Sequence, residues 1–530
     1  MKLNLIRLAV AAGLALAAAG AASAATFVAP ADGSPNLTDL SGATSTDGVM
    51  FAAMVGTDAN SICDSTGGAP DVYTTEAQLT PGVLIANFAV VCKPKGTIAG
   101  LNNAAIQAVR KYSGGSGSGI GNVASGAAVA PDNANDRQWT TMNPANCQQV
   151  AGGGGGGATG LQAYNLYINC PSDVGQVTKG GISDEEPILL GATATQLGQL
   201  TTTSGIAVDF APVVSTALFN ALQTAEHGVA NGIDDQSNMP NMSSSTLRGI
   251  FLGNITSRSF LFANPAGDAG AAVALPAAPS GSSNIFICRR GNSSGTQTGF
   301  GIQYLHQGCG TAGNGDPTLS FVGATTASCT ASGCGWGTTP VTDRVFAGTG
   351  SQDVINCMNA HSVAGDYAIG VLTTEYAPND AANAAYRHVK VDGVAPSLEN
   401  MQAGAWDFFT EDAFNVPNNT APNFPNVTND QSLITAAIQS AFKAPALLQV
   451  ALIQQGTSTG GAAWWGGAMA IPTLATSSPA PQGQASLHAL VQSTPVNSQT
   501  RAKSYGGGLN NCNPAWNGAR TLVPVDTASY

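Results

Sequence analysis

Four times along this chain a short apolar run ends in a turn of small and hydroxylic residues, and a segment of helical character follows. The turns are Gly42-Ala43-Thr44-Ser45, Gly115-Ser116-Gly117-Ser118, Ile182-Ser183-Asp184 and the stretch from Arg290 to Thr296. Strands that alternate with helices through short loops point to α/β layers. In an open α/β sheet, ligands sit at the carboxyl ends of strands, where several such loops can converge.

The fourth turn is the most explicit. Residues 285–288 read as a strand, two arginines follow, and Ser293-Ser294-Gly295-Thr296 opens into 297–307, which reads as a helix. A helix start leaves backbone N–H groups unpaired and carries a partial positive charge. Ser294 and Thr296 add hydroxyl donors, Gly295 lets the backbone come close, and Arg290 supplies a planar fork. That layout suits a tetrahedral oxyanion; the plain alternative is a strand-to-helix turn with Ser/Thr capping. Asp184, in the third turn, differs in kind. A carboxylate repels a fully deprotonated anion but accepts a hydrogen bond from a protonated one, such as mono- or dihydrogen phosphate. Sulfate carries no proton at neutral pH and would be rejected. A helix cap is the competing role for Asp184.

The first 24 residues read as a secretory signal peptide: Lys2 and Arg7 flank a Leu/Ala-rich run, and Ala22-Ser23-Ala24 is an A-x-A cleavage site. No cysteine follows the cut, which disfavours a lipid anchor, and no later apolar run is long and charge-free enough to span a bilayer. The expected location is the periplasm or the extracellular space. All 10 cysteines lie in the mature part, and an even number in an exported chain favours disulfides over zinc. Local pairs Cys63–Cys92, Cys147–Cys170 and Cys329–Cys334 are the expected ones. Without Lys2 and Arg7, 17 basic residues face 31 acidic ones, a net charge of −14. That disfavours nucleic acid and anionic membrane surfaces as partners, but not a small anion held by local dipoles and one or two cations.

Further along, 49–55 reads as a helix, 85–91 as a strand, 102–112 as a helix, 206–222 as a strand running into a helix, 367–372 as a buried strand and 431–444 as a helix ended or kinked by Pro445. Residues 121–179, with their Gly152–157 run, read as an insertion clipped at its base by Cys147 and Cys170; 263–283 reads as a surface loop. The five histidines are scattered, with no HExxH or paired His-carboxylate spacing, so no catalytic residue, cofactor or metal ligand is assigned. Trp464-Trp465 suits a hydrophobic anchor better than a carbohydrate platform.

The four turns, in this order, resemble those of the periplasmic phosphate-binding protein of the high-affinity phosphate importer, a type 2 periplasmic binding protein. That family has a Gly-Ala-Thr loop, a Gly-Ser-rich loop, a Ser-Asp step and an Arg-x-x-x-Ser-Gly-Thr loop. Three further segments are similar: Leu247 to Ile255, Ala368-Ile369-Gly370-Val371 and Val391 to Asn400. By that resemblance Thr44, Ser45 and Ser116 donate to the ligand, with Ser118 as an alternative register. Asp184 accepts the ligand's proton, and Arg290, Ser294, Gly295 and Thr296 bind from the fourth loop. The chain departs from the family in carrying Asn292 near a place where better-known members can hold an acid, Ser45 where an aromatic is common, and much greater length.

The resemblance implies two α/β lobes, each a mixed sheet flanked by helices, with crossover strands as a hinge and a ligand cleft between. The first lobe is expected at 25–204 with the insertion at 121–179, the second at 205–365, a return to the first at 366–454, and a Gly/Ser/Pro-rich tail at 455–530. It implies reversible binding of inorganic phosphate or a similar oxyanion for import or scavenging, with an ABC importer permease as partner and no enzymatic activity. The alternatives are an extracellular structural or surface protein reusing the scaffold, and a secreted phosphatase-like hydrolase.

Overall fold

The computed structural model describes residues 26–76, 87–113, 116–126, 139–153, 160–233, 236–263, 273–291, 294–305, 344–348, 350–374, 386–397, 400–401, 404–422, 424, 427–441, 469–472, 496–497 and 510–512. In its first part the chain forms β1 (Leu37–Gly42), α1 (Asp47–Val55), β2 (Asp71–Thr74), β3 (Phe88–Cys92), β4 (Gln107–Ser113), α2 (Ser118–Ser125), β5 (Gln148–Gly153), β6 (Tyr164–Ile168), β7 (Gly180–Ser183) and the long β8 (Leu200–Ser215). There follow α3 (Thr216–His227), α4 (Ser244–Phe251), β9 (Ile285–Arg290), α5 (Gly295–Leu305), β10 (Val345–Gly348), α6 (Ser351–Ala364), β11 (Tyr367–Thr373), β12 (Tyr386–His388), β13 (Phe409–Pro417), α7 (Asn429–Ala441) and β14 (Met469–Pro472).

The strands lie in the order β10-β9-β11-β8-β13-β7-β1-β4-β3-β2-β6-β5. β1 runs parallel to β4 and β7, and β9 runs parallel to β10 and β11. These two parallel groups are joined by β8 and β13, which run antiparallel to their neighbours. β8 pairs through Phe210–Val214 with β11 on one side and through Leu200–Asp209 with β13; β13 in turn pairs with β7. The result is the expected mixed α/β fold of two lobes sharing crossover strands. One apolar cluster runs across the junction, from Leu40, Val49, Phe88 and Ile182 through Ile206 and Phe210 to Phe251, Phe300 and Ile369.

Residues 102–112 are not a helix. From Gln107 the chain is strand β4, pinned between β1 and β3. Alanines at 104, 105 and 108 favour a helix locally, but pairing on both sides overrides propensity. The strand period also solves a burial problem: Arg110 and Lys111 point to opposite faces, and each finds its own carboxylate. Arg110 Nε meets Asp39 Oδ1 at 2.8 Å, directly across the β1 register, and Lys111 Nζ meets Asp47 Oδ1 at 2.9 Å. Residues 148–153 and 164–168, within the stretch read as an insertion, pair with each other and extend the sheet beyond β2.

Disulfides Cys63–Cys92 and Cys147–Cys170 form as expected. A third, Cys288–Cys357, ties β9 to α6, and Cys512 is also disulfide-bonded. Cys329–Cys334, Pro445, Trp464-Trp465 and the signal segment lie outside the described residues. Among those described, no helix is long and apolar enough to cross a membrane.

Candidate functional site

β1 ends at Gly42, whose φ of 123° lies in a region side chains avoid. A Cβ there would come within 1.9 Å of Ile182 O in β7, so the chain turns tightly across its neighbour. The next N–H, of Ala43, donates to that same Ile182 carbonyl at 2.9 Å. Thr44–Thr46 form a single 3₁₀ turn leading into α1. Beneath it the buried Lys111 ammonium donates to Gly42 O at 3.0 Å, Ala43 O at 3.2 Å and Asp47. Lys111 therefore fixes the first loop from below. The sequence reading missed it because it took this segment for a helix.

The second and third loops lock together. Ser116 follows β4, and its hydroxyl donates to Asp184 Oδ2 at 2.8 Å while accepting from the Asp184 N–H at 3.0 Å. Ser45 donates to the other oxygen, Oδ1, at 2.6 Å. Asp184 thus sits where β7 ends, with both oxygens anchored by hydroxyls from the first two loops. Beside it Glu185 is fully buried, and loss of water, then repulsion from Asp184, Glu186 and Asp412, pushes its carboxyl well above the usual range.

The fourth loop brings the cation. Arg290 closes β9, is 6% exposed and donates from Nη1 to Ser351 Oγ at 2.8 Å; its N–H donates to Gln297 Oε1 at 3.2 Å. α5 begins at Gly295, two residues before the expected start, so Gly295 and Thr296 occupy its first turn. The helix is held by its ring at 300: Phe300 packs on Phe251 at 4.3 Å and on Phe408 at 5.9 Å between centroids. A Cβ on Gly295 would lie 2.0 Å from Asp184 Oδ2, so glycine alone allows this approach.

One cavity is lined by Ala43, Thr44, Ser45, Ser116, Asp184, Arg290, Gly295, Thr296, Ser351 and Thr373. It encloses about 250 Å³ of empty space, open solvent at its mouth included. The structure brings together seven of the residues singled out from sequence: Thr44, Ser45, Ser116, Asp184, Arg290, Gly295 and Thr296. Ser294 is buried directly beside them, its hydroxyl without a hydrogen-bond partner among the described residues. Asn292 and the side chain of Ser118 lie outside the description. Ser351 and Thr373 were not foreseen. Ser351 opens α6 after Gly350, a fifth small-residue turn between a strand and a helix; Thr373 is the last residue of β11.

Among the described residues the lining is one guanidinium, one carboxylate, several hydroxyls and the first turns of α5 and α6. Each helix start offers unpaired N–H groups and a positive dipole end. Such a donor-rich pocket, holding one acceptor that cannot donate while ionised, is suited to an anion that carries a proton.

Elsewhere, His361 Nδ1 lies 3.0 Å from Asp366 Oδ2, a His-carboxylate pair that residue spacing had not suggested. Burial, outweighing Asp366, holds the imidazole below its ordinary value. His361 also adjoins Cys288 and Cys357, but the two sulfurs are bonded to each other and so offer no thiolate to a metal.

No family model and no curated protein matches the chain. Among solved structures it is similar to a protein from Clostridium perfringens described as a candidate phosphate ABC transporter substrate-binding protein with bound phosphate. The identity is 13%, 78% of this chain and 98% of that one are covered, and the TM-score is 0.35. An ABC-type phosphate transport receptor from Vibrio cholerae shares 14% identity over 51% of this chain and 78% of its own, at a TM-score of 0.27. A phosphate-binding protein from Stenotrophomonas maltophilia shares 17% over 50% and 75%, at 0.25.

Proposed function

We propose that the protein is an exported solute-binding protein that reversibly holds inorganic phosphate, or a closely similar protonated oxyanion, in the cavity between its two lobes. The observation that carries this reading is the pairing of Arg290 with Asp184 in one hydroxyl-lined cavity. Arg290 supplies charge and a fork for two anion oxygens. Asp184 has two oxygens with about four lone-pair sites, of which Ser45 and Ser116 take two. A remaining lone pair accepts the proton of hydrogen phosphate. Ser294, Gly295 and Thr296 surround the anion from the start of α5, Thr44 from the start of α1, and Ser351 from the start of α6. Closure of the two lobes about β8 and β13 would bury the ligand.

The same reading assigns 25–204 to one lobe and 205–365 to the other; of the expected return at 366–454, β11 and β12 instead pair with β9 and the end of β8 beside the second parallel group, and β13 is the strand that returns to the first. Delivery of the ligand to a membrane permease is the physiological step. Titration calorimetry of the mature protein tests the function. Phosphate should give a saturable single-site isotherm and sulfate a much weaker one. No heat and no thermal stabilisation with phosphate would sink the reading. A phosphomonoester assay with and without divalent metal, run on the same sample, should show no turnover; turnover would favour the hydrolase.

A further inference from the structure

The C-terminal segment has no part in the function as argued so far, yet one of its residues lies at the root of the Asp184 loop. β7 pairs with β13 through Gly181, Ile182 and Ser183, opposite Asn415, Phe414 and Ala413. There the ladder stops, and the chain leaves the sheet as Asp184-Glu185-Glu186. β13 continues past a bulge between Glu411 and Ala413. The place that β7 vacates is taken by Asn511. Its Oδ1 accepts from the Glu411 N–H at 2.9 Å and its Nδ2 donates to Glu411 O at 3.1 Å, the two bonds a neighbouring strand residue would make. The same Nδ2 donates to Glu186 Oε2 at 2.8 Å, and the Asn511 N–H donates to Glu186 Oε1 at 2.9 Å. Asn511 is 1% exposed.

We propose that Asn511 is a positioning residue for the anion site: a wedge that sets where the Asp184 loop departs from the sheet. The inference rests on the phosphate reading above. Ser45 and Ser116 hold the loop at Asp184, but those hydroxyls also line the cavity and face the ligand. Ser183 Oγ, donating to Glu185 O at 2.7 Å, steadies its middle. Asn511 holds the far end at Glu186 with donors the ligand never meets. Only a carboxamide meets both demands: an acceptor for Glu411 N–H, and donors for a carbonyl and a buried carboxylate. Burial raises the Glu186 carboxyl above its ordinary value, and the Asn511 donors pull it back down.

Asn511→Asp keeps the shape and the acceptor but sets a carboxylate against Glu186. Phosphate affinity at neutral pH, read by calorimetry on the full mature chain, should fall at least about tenfold, as expected when hydrogen bonds to a buried charged group are lost. Adding Glu186→Gln restores a donor–acceptor pair with the roles exchanged at that contact, while Glu411 O still faces an oxygen, so affinity should recover at least about threefold of the loss, the coupling that a double-mutant cycle detects. A residue that merely fills space would show no such rescue. Hydrogen exchange on the unliganded protein supplies a readout independent of the ligand. Asn511→Asp should speed exchange at residues 184–190 at least about tenfold and leave α7 unchanged. Wild-type protein that fails to bind phosphate would overturn the functional reading, with the exchange arm still deciding the wedge. Unaltered binding in Asn511→Asp, absent rescue, unaltered exchange at 184–190, or a uniform rise in exchange over the whole chain would each overturn the positioning role.

Discussion

Among the described residues Arg290 is the one guanidinium in the lining of the cavity, and its Nη1 already has a hydroxyl partner in Ser351. Its substitution therefore separates binding from folding. Arg290→Ala should retain the fold, seen as an unchanged circular-dichroism spectrum, while phosphate affinity drops by roughly 2–5 kcal/mol, the loss expected when one partner of a desolvated charged contact is removed. A change below about threefold would place Arg290 outside the site, because that is under 1 kcal/mol. Asp184→Asn keeps the outline but offers an amide donor toward the ligand. Phosphate should weaken and sulfate gain relative to it, by about 1–3 kcal/mol for one mismatched buried polar contact. Wild-type protein that binds sulfate and phosphate equally would show that Asp184 does not discriminate by the proton. Gly295→Ala introduces a methyl 2.0 Å from Asp184 Oδ2, so α5 or the acidic loop must shift. Overpacking of that kind costs roughly 1–3 kcal/mol, and most of it should appear in phosphate affinity.

At the scale of elements, the Cys288–Cys357 disulfide joins β9, which carries Arg290, to α6, which begins with Ser351. Replacing both cysteines with alanine opens a loop of 69 residues and should cost roughly 2–4 kcal/mol in urea denaturation. Phosphate affinity should fall with it; full stability without the bond would show that packing alone holds the two elements. This disulfide was not legible in the sequence, because residues distant along the chain meet only through the parallel pairing of β9 with its neighbours. The short-range pairs Cys63–Cys92 and Cys147–Cys170 were legible. So were the strand–turn–helix units at Thr44, Ser116 and Arg290, since turn chemistry is local; at Asp184 the strand and turn were legible, but no helix starts there, the next being the short Ala194–Gly198 capped by Thr193. β4 was misread because its alanines favour a helix locally, whereas pairing with β1 and β3 and the partners of Arg110 and Lys111 on other elements decide the strand. Ser351 followed the same local rule as the four recognised turns and was recoverable. Asn511 was not, because nothing near it in sequence indicates a sheet edge.

The whole molecule buries carboxyls with raised proton affinity and imidazoles with lowered affinity, and the two groups act in opposite pH directions. Burial lifts Glu185 and Asp209 well above their ordinary values, while His388 is pushed from 6.5 to about 3. A raised acid contributes stability that is complete below its unfolded value and is lost as pH climbs toward its folded one; a depressed histidine contributes stability that is lost as pH falls below about 6.5. Raising the pH above the ordinary carboxylate range therefore costs stability through Glu185 and Asp209. Glu185→Gln removes the Glu185 share, so its unfolding free energy relative to the wild type should rise as the pH is raised, read by urea denaturation at a series of pH values. A difference between the two proteins that does not change with pH would show that Glu185 has no raised proton affinity in the fold.

The crossover strands also set a timetable. β13 lies between β7 and β8 in the middle of the sheet, yet it is the last of the central strands to be made. Until Phe409–Pro417 arrives, Leu200–Asp209 and Gly180–Ser183 each present an unpaired edge, a template for wrong partners. Pairings so distant in sequence are slow to find. Glu186 waits longer still, for a contact 325 positions away. The β10-β9-β11 group has all its strands by Thr373, but it is not joined to the β1-β4-β7 group until β13 is made, and a chain that stalls before then carries a gap through its centre where a finished one has its crossover strands.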